Sequence, residues 1–412
     1  MKKKPRPSAS NLTVLHQLCN FIPPHLVPKL ARETGVNNQC RSFSAWSHVV
    51  SMIYSQLTHS IGLNDVCDAL QLHRGPLSAI RGATPPSRNG LSHAGKHRKA
   101  ELAEKLFWAT FNHLQSLSPG FTEGRKGKGV THRFRRTIHI VDSTTIELIA
   151  NCMDWAKHRR RKAAAKCHMR LDLQSFLPNF VLIDTARDHD AKRARELCAS
   201  VKAGEIVVFD KAYVDFDHLF EFFLREVFWV TRTKSNHQFI VIKQRKTNDP
   251  KILADEEVVL SSQYTFLNKY PETMRRVRAL VEIDGVEREM EFLTNNMDWS
   301  PRSVCDLYRS RWSIETFFKQ IKQTLKLADF LGHSANAVRW QIWSALLCYL
   351  LLRFQTWLSQ WAGNFTRLFT LIRAALWQRY NLLELLNSCG TAGGSFRALA
   401  TPQTAYFPSF RC

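Results

Sequence analysis

The sequence lacks the features of proteins that are stabilised by structural zinc and of proteins that are embedded in membranes. Its ten cysteines form no CxxC pair and no cysteine–histidine spacing typical of structural zinc, which predicts a reduced protein without such a site. The most apolar run, residues 342–352, is too short to span a bilayer and is followed by Arg353. The basic N-terminus is not followed by an apolar segment, as a signal peptide would require. We therefore expect a cytoplasmic protein with no membrane partner.

Acidic residues are scarce relative to basic ones. The 412 residues include 58 Lys and Arg against 35 Asp and Glu, a formal net charge of +23. Such an excess predicts a polyanionic partner, and its spread along the chain favours nucleic acid over a membrane surface. The bias is strong between Arg125 and Arg170, where 13 basic residues accompany three acidic ones. We expect phosphates to lie near this segment.

Glycine and proline are absent from residues 307–326, which favours a helix. At about 100° per residue, one face of that helix carries a single carboxylate among cations and aromatic rings. Its members are Tyr308, Arg311, Trp312, Glu315, Lys319, Lys322 and Lys326. This face is either a solvated surface or a catalytic carboxylate flanked by cations that bind phosphate. The presence or absence of partner carboxylates decides between the two interpretations.

The N-terminal part, from about residue 11 to residue 118, has the pattern of helices interrupted by Pro and Gly. Residues 63–73 and 87–98 are compatible with a helix-turn-helix pair whose second helix places polar side chains near its start. These side chains are Arg88, Asn89, Ser92, His93 and Lys96. An ordinary helical bundle explains the same residues equally well.

Strand patterns begin at Thr137. Three strands near 137–141, 169–173 and 180–183 precede a helix at about 190–201 and a fourth strand at 205–209. This is the opening order of the ribonuclease H-like fold, in which the first and fourth strands are parallel neighbours. Asp142 and Asp210 follow these two strands and are therefore expected to lie side by side. A fifth strand and a β-rich insertion are predicted before the helix that carries Glu315.

Two strand-end aspartates and one helical glutamate form a plausible metal site. Cleavage of a phosphodiester by two divalent ions requires converging carboxylates, and adjacent strands lie about 4.8 Å apart. Asp142, Asp210 and Glu315 meet this requirement, and their oxygen ligands suit Mg²⁺ or Mn²⁺. Asp184 also ends a strand, but that strand lies two positions from the first. A single strand-end Asp is more often a turn former or a cap, so the argument depends on the set of three.

The motifs resemble those of a known family. Tyr308-x2-Arg311-x3-Glu315-x6-Lys322 matches the Tyr-Arg-Glu-Lys signature of DDE transposases of the insertion sequence four family. The segments around Asp142 and Asp210 are similar to those of the first two catalytic aspartates, and the basic run ending at His168 resembles the one that commonly follows the first. The resemblance covers about residues 11–355. It implies a DNA transposase with a ribonuclease H-like catalytic core.

The resemblance also implies roles for individual residues. Asp142, Asp210 and Glu315 are the expected ligands of Mg²⁺, with Mn²⁺ as the expected substitute, and Tyr308, Arg311 and Lys322 are expected to bind the phosphates of transposon ends. Further candidate DNA contacts are Lys319, Lys326, Arg159, Lys162 and Lys166. Some members stack a Trp of the β insertion on a flipped base, for which Trp299 is the candidate here, although it can equally cap the following helix.

The partners and domains follow from the same interpretation. The expected partner is double-stranded DNA, as inverted-repeat ends and as target, held by a homodimer in the bacterial cytoplasm and on the nucleoid. The predicted divisions are a basic tail (1–10), an N-terminal all-α DNA-binding domain (11–120), the first part of the core, a mixed five-stranded α/β sheet (121–234), a β-rich insertion (235–300), the catalytic helix (301–345) and a C-terminal helical region (346–412). The alternative function is a catalytically silent DNA-binding protein or regulator derived from a transposase.

Overall fold

The chain forms two compact units in the computed structural model. The structure describes residues 7–36, 43–123, 130–148, 157–159, 162–185, 190–261, 269–283, 285–325 and 330–389. Unit 1 comprises Met1–Thr122, Ile146–Ala164 and Phe318–Cys412, and unit 2 comprises Glu123–Thr145 and Ala165–Phe317. Unit 1 therefore combines the two ends of the chain.

The helices of the described residues, in chain order, are α1 (Val14–Cys19), α2 (Leu26–Glu33), α3 (Ala45–Thr58), α4 (Leu63–Leu72), α5 (Arg74–Ser78), α6 (Arg88–His97), α7 (Glu101–Leu117), α8 (Gly120–Glu123), α9 (Val130–Phe134), α10 (Asp190–Cys198), α11 (Phe216–Leu224), α12 (Pro301–Ser310), α13 (Ser313–Lys319), α14 (Ala335–Leu358), α15 (Phe365–Ala375) and α16 (Leu382–Ser388). The strands are β1 (Ile138–Leu148), β2 (Lys157–Arg159), β3 (Lys162–Asp172), β4 (Leu177–Thr185), β5 (Ile206–Phe209), β6 (Phe228–Arg232), β7 (Phe239–Gln244), β8 (Ile252–Leu260), β9 (Met274–Ile283) and β10 (Val286–Thr294).

Unit 1 is built around α14. This 24-residue helix begins at the cap Ser334, whose side chain accepts a hydrogen bond from the amide of Ala337. Apolar side chains surround the helix and are buried on nearly every side, which is the pattern of a helix enclosed by others. The helices α3 and α7 pack against it. Among the described residues, no helix has both the length and the apolar character needed to cross a membrane.

The two helices suggested as a helix-turn-helix pair are present. They are α4 and α6, which pack against each other, with the short α5 between them in the chain. Ser87 caps α6 by accepting a hydrogen bond from the amide of Gly90. The five polar side chains noted near the start of α6 are all exposed, so this face of the helix is available to solvent or to a partner.

Unit 2 contains a mixed sheet. Its strands lie in the order β4-β3-β1-β5-β6-β10-β9-β8-β7, and the short β2 of unit 1 pairs with the beginning of β3. Strand β5 is parallel to both β1 and β6, whereas β10, β9, β8 and β7 are successively antiparallel. The predicted parallel pairing of the first and fourth strands is therefore confirmed. The strands predicted between residues 235 and 300 are also present, and they extend this sheet.

The core of unit 2 lies where α10 and α11 cover the sheet. Val207 of β5 and Trp229 of β6 are fully buried, and they share one apolar cluster with Leu197 of α10 and with Leu219 and Phe222 of α11. All four β5 residues also pair with β1, so the strand pairing and this cluster together fix the position at which β5 ends. The packing thus determines the position of Asp210, the residue that follows β5.

A buried histidine of unit 2 should make the fold sensitive to acid. Burial, together with the charge of Arg195, lowers the pKa of His218 to about 4. An unfolded histidine titrates near 6.5, so stability that is complete above pH 6.5 is lost as the pH falls toward 4, by about 2 kcal/mol at pH 5. Urea unfolding at pH 7 and pH 5 should show this loss and a smaller one for His218→Gln. The exposed His25→Gln is the control, and an unchanged pH dependence in His218→Gln would contradict the assignment.

Candidate active site

Asp142 and Asp210 follow two paired strands. The parallel pairing of β1 with β5 runs from Ile138–Ile206 to Val141–Phe209, so each aspartate comes directly after the last pair. β1 itself continues to Leu148, so Asp142 lies within the strand and not at its end, which corrects one detail of the predicted boundary. The pairing still ends where it was expected to end. The two aspartates therefore lie side by side at the same end of the β1–β5 pairing.

The segment that carries Glu315 is not one continuous helix. Ser300 caps α12, Pro301 occupies its first turn, and the helix ends at Ser310. Arg311 and Trp312 form a turn in which their amides bond to the carbonyls of Tyr308 and Arg309, three residues back. Such bonds tighten the turn to about three residues, which resets the helical phase.

The chain then forms α13, and a π-helix follows over Gln320–Thr324. The prediction that Tyr308 to Lys326 share one face of a single helix is therefore wrong, because it assumed a constant rotation of about 100° per residue. Tyr308, Arg311 and Glu315 are nevertheless brought together around the aspartates. Lys326 lies outside the described residues, and Lys319 and Lys322 belong to unit 1.

Two residues of the predicted signature hold all three carboxylates. The hydroxyl of Tyr308 donates to Oδ1 of Asp210 at 3.1 Å. Arg311 donates from Nη1 to Oδ2 of Asp142 at 2.6 Å and from Nη2 to Oε1 of Glu315 at 3.2 Å. Tyr308 and Arg311 are almost fully buried, and the guanidinium lies 5.7 Å from the Tyr308 ring. The arrangement links both strands to the turn between α12 and α13.

The electrostatics of the site centre on Asp142. The pKa of its carboxyl group is raised to about 6, chiefly by burial; Arg311 opposes this shift, and the nearby negative charges of Asp210 and Glu315 add to it. Three carboxylates that influence one another in this way require a compensating cation. In this structure, the guanidinium of Arg311 supplies that positive charge.

The donor atoms suit a hard divalent ion, although they do not surround a metal position. Carboxylate oxygens are the ligands that such ions prefer. Among the described residues, no three His, Cys, Asp or Glu side chains lie close enough to enclose a metal ion. The side chain of Arg311 stands between Asp142 and Glu315, so these two carboxylates can bind one ion only after the guanidinium moves aside.

The remaining aspartates have structural partners. Asp184 forms an ion pair with Arg193, which agrees with its separation from the predicted set. Asp215 caps α11 by accepting hydrogen bonds from the amides of Asp217 and His218. Asp142 and Asp210 are instead the aspartates that Arg311 and Tyr308 contact.

Trp299 packs against other aromatic rings. Its ring lies 5.1 Å from Phe134 and 5.3 Å from Phe228, and its backbone amide donates to Oδ1 of Asn296. The cap of α12 is Ser300, the next residue. The side chain is only partly buried, and its stacking on a base stays a prediction.

The structure places only some of the basic side chains that were predicted to contact DNA. Lys166 is half-buried in β3, opposite Asp184 of β4, and Lys319 is exposed at the end of α13. Lys322 lies in the π-helix. Arg159 ends β2 and Lys162 begins β3, and for these two residues the structure describes the backbone alone. Their contacts with DNA stay predictions.

One pair of positioning residues was missed by sequence reasoning. Nδ1 of His168 in β3 lies 3.2 Å from the hydroxyl of Tyr213, with both side chains buried. The amide of Tyr213 bonds to the carbonyl of Asp210, so this contact ties the loop after β5 to β3. Both residues belong to the segments quoted for the family resemblance, and this was the available signal.

Comparisons with known proteins identify the family of the chain. Residues 133–351, more than half of the chain, match the transposase DDE domain family, and residues 10–80 match a domain of unknown function (DUF4372). The chain is 30% identical over 271 residues to the putative transposase y4zB of Sinorhizobium fredii, covering 65% of this chain and 74% of that protein. It is 28% identical over 222 residues to the probable transposase for insertion sequence element IS5377 of Geobacillus stearothermophilus, covering 54% and 57%.

A solved structure is also similar. It is the synaptic complex of piggyBac transposase with hairpin DNA, with a TM-score of 0.46 and 8% identity over 89% of this chain and 81% of that one. The family assignment depends on the sequence matches, which include the segment from β1 to α14 and all three carboxylates. The chain therefore belongs to the transposase DDE domain family, among the transposases of bacterial insertion sequences.

Proposed function

We propose that this DNA transposase binds the inverted-repeat ends of its element, cleaves them with the aid of divalent metal ions and transfers the cut strands into target DNA. The observation that carries the proposal is the convergence of Asp142, Asp210 and Glu315 on two residues of one signature, Tyr308 and Arg311. A protein that only bound DNA would have no need for three carboxylates around a buried cation.

The order of the strands supports a ribonuclease H-like core. In chain order, the five strands β1, β3, β4, β5 and β6 take the spatial order β4-β3-β1-β5-β6, with β1 parallel to β5. These are the strands predicted for that fold, and Glu315 would complete the core from the segment after β10. We also propose the domain divisions predicted from the sequence, with residues 11–120 as the DNA-binding part.

In the proposed mechanism, Asp142, Asp210 and Glu315 hold the metal ions, with Mg²⁺ as the expected ion and Mn²⁺ as a substitute. When bound there, such ions would supply the Lewis acidity that the attack of a water or 3′-hydroxyl and the departure of the leaving oxygen require. Tyr308 orients Asp210 through its hydroxyl hydrogen bond. Arg311, released from Asp142 and Glu315, would bind a phosphate of the transposon end, and Lys322 is a separate proposed phosphate contact. Because its hydroxyl has a single hydrogen, Tyr308 can donate to a phosphate only in a state in which it has released Asp210. A homodimer holding two ends on the nucleoid is the proposed assembly.

A strand-transfer assay tests this function. It combines purified protein and Mg²⁺ with DNA that carries the inverted repeats of the element and with a plasmid as the target. Strand transfer is the expected result. Cutting without joining would instead indicate a structure-selective nuclease, and binding without cutting would indicate a catalytically silent regulator.

Lys322→Ala tests the proposed phosphate contacts. Loss of one contact should weaken binding to a transposon end and reduce the slope of log K against log salt concentration by about one. Binding measured by fluorescence anisotropy at several salt concentrations gives this slope. Lys29→Ala, an exposed substitution in α2, is the matched control. An unchanged slope in Lys322→Ala would remove Lys322 from the phosphate contacts.

A further inference from the structure

A cavity of about 350 Å³ lies within unit 1, whereas the three carboxylates belong to unit 2. Its wall includes His48 of α3, Lys96 and Ser92 of α6, and Trp340 of α14. The volume falls in the range of pockets that bind small molecules, at its lower end. Nothing in the proposed catalytic mechanism uses this cavity.

His48 gives the cavity an unusual polar wall. The side chain is fully buried, and neither Nδ1 nor Nε2 has a hydrogen-bond partner among the residues that the structure describes. Burial and the charge of Arg98 lower the pKa of His48 to about 3, so the neutral ring presents one donor and one acceptor at neutral pH. Buried polar atoms without partners are costly, which is a reason to expect a ligand at this position.

Aromatic surface lies beside these polar atoms. The ring of Trp340 is 4.3 Å from that of His48, and its Nε1 donates to the carbonyl of Arg98 at 2.7 Å. This hydrogen bond holds the indole in place, and Asn336 bonds to the carbonyls of Gly95 and Arg98 at 2.8 and 2.7 Å. The wall formed by α6 and α14 is therefore rigid and already assembled.

The rim of the cavity is suited to a phosphate. Lys96 and Ser92 are exposed on α6 and also line the cavity. The cavity reaches Ser334 and Ala337 at the start of α14, where the helix dipole and backbone amides favour an anion. Gly332 lets the segment before α14 pack closely on the first turn of the helix, since a Cβ there would come within 2.7 Å of Cβ of Ala337. A ligand with a flat ring that carries hydrogen-bond donors and acceptors would match the wall of the cavity, and a phosphate attached to that ring would match the rim.

We propose that this cavity binds one unpaired nucleotide of DNA that lies along the exposed face of α6. The base enters against His48 and Trp340, and its phosphate is held by Lys96 and the first turn of α14. The inference rests on the proposed function for the presence of DNA, but not on cleavage. It assigns to unit 1 a means of recognising DNA that has lost a base pair.

Two short duplexes of the same sequence test the proposal, one fully paired and one with a single unpaired thymidine. The wild-type protein should bind the second about tenfold more tightly, as expected for one stacked base. It should also protect that thymine from permanganate oxidation. Equal affinity for the two duplexes, or an unprotected thymine, would overturn the proposal while leaving the proposed transposase function intact. If neither duplex is bound, both proposals fail.

His48→Leu separates ligand binding from a structural role. We expect this variant to keep the affinity for the paired duplex, to lose the tenfold preference and to melt at the same or a higher temperature, because the unpartnered ring nitrogens are gone. Lys96→Gln should also reduce the preference, whereas the exposed Lys99→Gln, three residues along, should not. If His48→Leu does not fold, Lys96→Gln decides. A retained preference in a folded His48→Leu or in Lys96→Gln contradicts the proposal.

Discussion

Replacing Asp210 with Ala should reduce strand cleavage at least about a thousandfold while binding to transposon ends survives. The magnitude follows because electrostatic stabilisation by a properly held metal contributes several kcal/mol to the transition state, and each 1.36 kcal/mol is a factor of ten. Asp142→Ala and Glu315→Gln should have effects of the same order. The measurement is single-turnover cleavage of a labelled inverted-repeat duplex in Mg²⁺ and again in Mn²⁺.

The matched control is Asp217→Asn, a half-buried carboxylate in the first turn of α11 that pairs with Lys269 and touches neither Tyr308 nor Arg311. It should cleave as the wild type does. End binding by anisotropy, measured on the same preparations, distinguishes a catalytic defect from a folding defect. Substantial cleavage by any one of the three carboxylate variants would reject that residue as a metal ligand.

Replacing Arg311 with Ala should destabilise the protein in EDTA at neutral pH. The guanidinium neutralises the half-buried Asp142, and removing one partner of such a partly accessible pair costs about 2 kcal/mol. Without Arg311, the pKa of Asp142 should rise above its present value of about 6. A carboxyl group whose folded pKa is raised destabilises the fold as the pH rises above its unfolded value near 3.9, so the loss should be small at pH 4 and largest at pH 7.

Thermal unfolding at both pH values measures this effect. Addition of Mn²⁺ should restore more stability to Arg311→Ala than it adds to the wild type, because the ion no longer competes with the guanidinium for Asp142 and Glu315. The exposed Arg309→Ala, two residues earlier, removes the same charge without touching either carboxylate and should behave as the wild type. An Arg311→Ala protein with unchanged stability in EDTA would contradict the role of Arg311 as the internal cation.

Local patterns predicted the strands and the position of the aspartates. The run before Asp210 is apolar at every residue, and β5 is buried at each of them, so strand type and end could be read from the sequence. The neighbouring placement of Asp142 and Asp210 followed from strand order alone. The longer β1 could not be predicted, because Ser143 to Thr145 are polar and only half-buried.

The break at Arg311 and Trp312 had no local signal. No glycine or proline marks it, and the side chains bonded there belong to residues about 100 and 169 positions away. Sequence reasoning assigned Arg311 to DNA phosphates, so its contacts with Asp142 and Glu315 were not expected. The cavity beside His48 was equally inaccessible, because it depends on how α3, α6 and α14 pack.

The composition of unit 1 has a consequence for protein synthesis. Phe21 and Phe107 pack against Phe354 and Trp343 of α14, so the N-terminal helices, although they also pack on one another, gain these apolar partners only after about 350 residues have been made. Until then, these helices expose surfaces that favour aggregation and recognition by chaperones. An element copy truncated before α14 should therefore produce an N-terminal fragment that is degraded. Such a fragment would not accumulate as a competitor for the transposon ends.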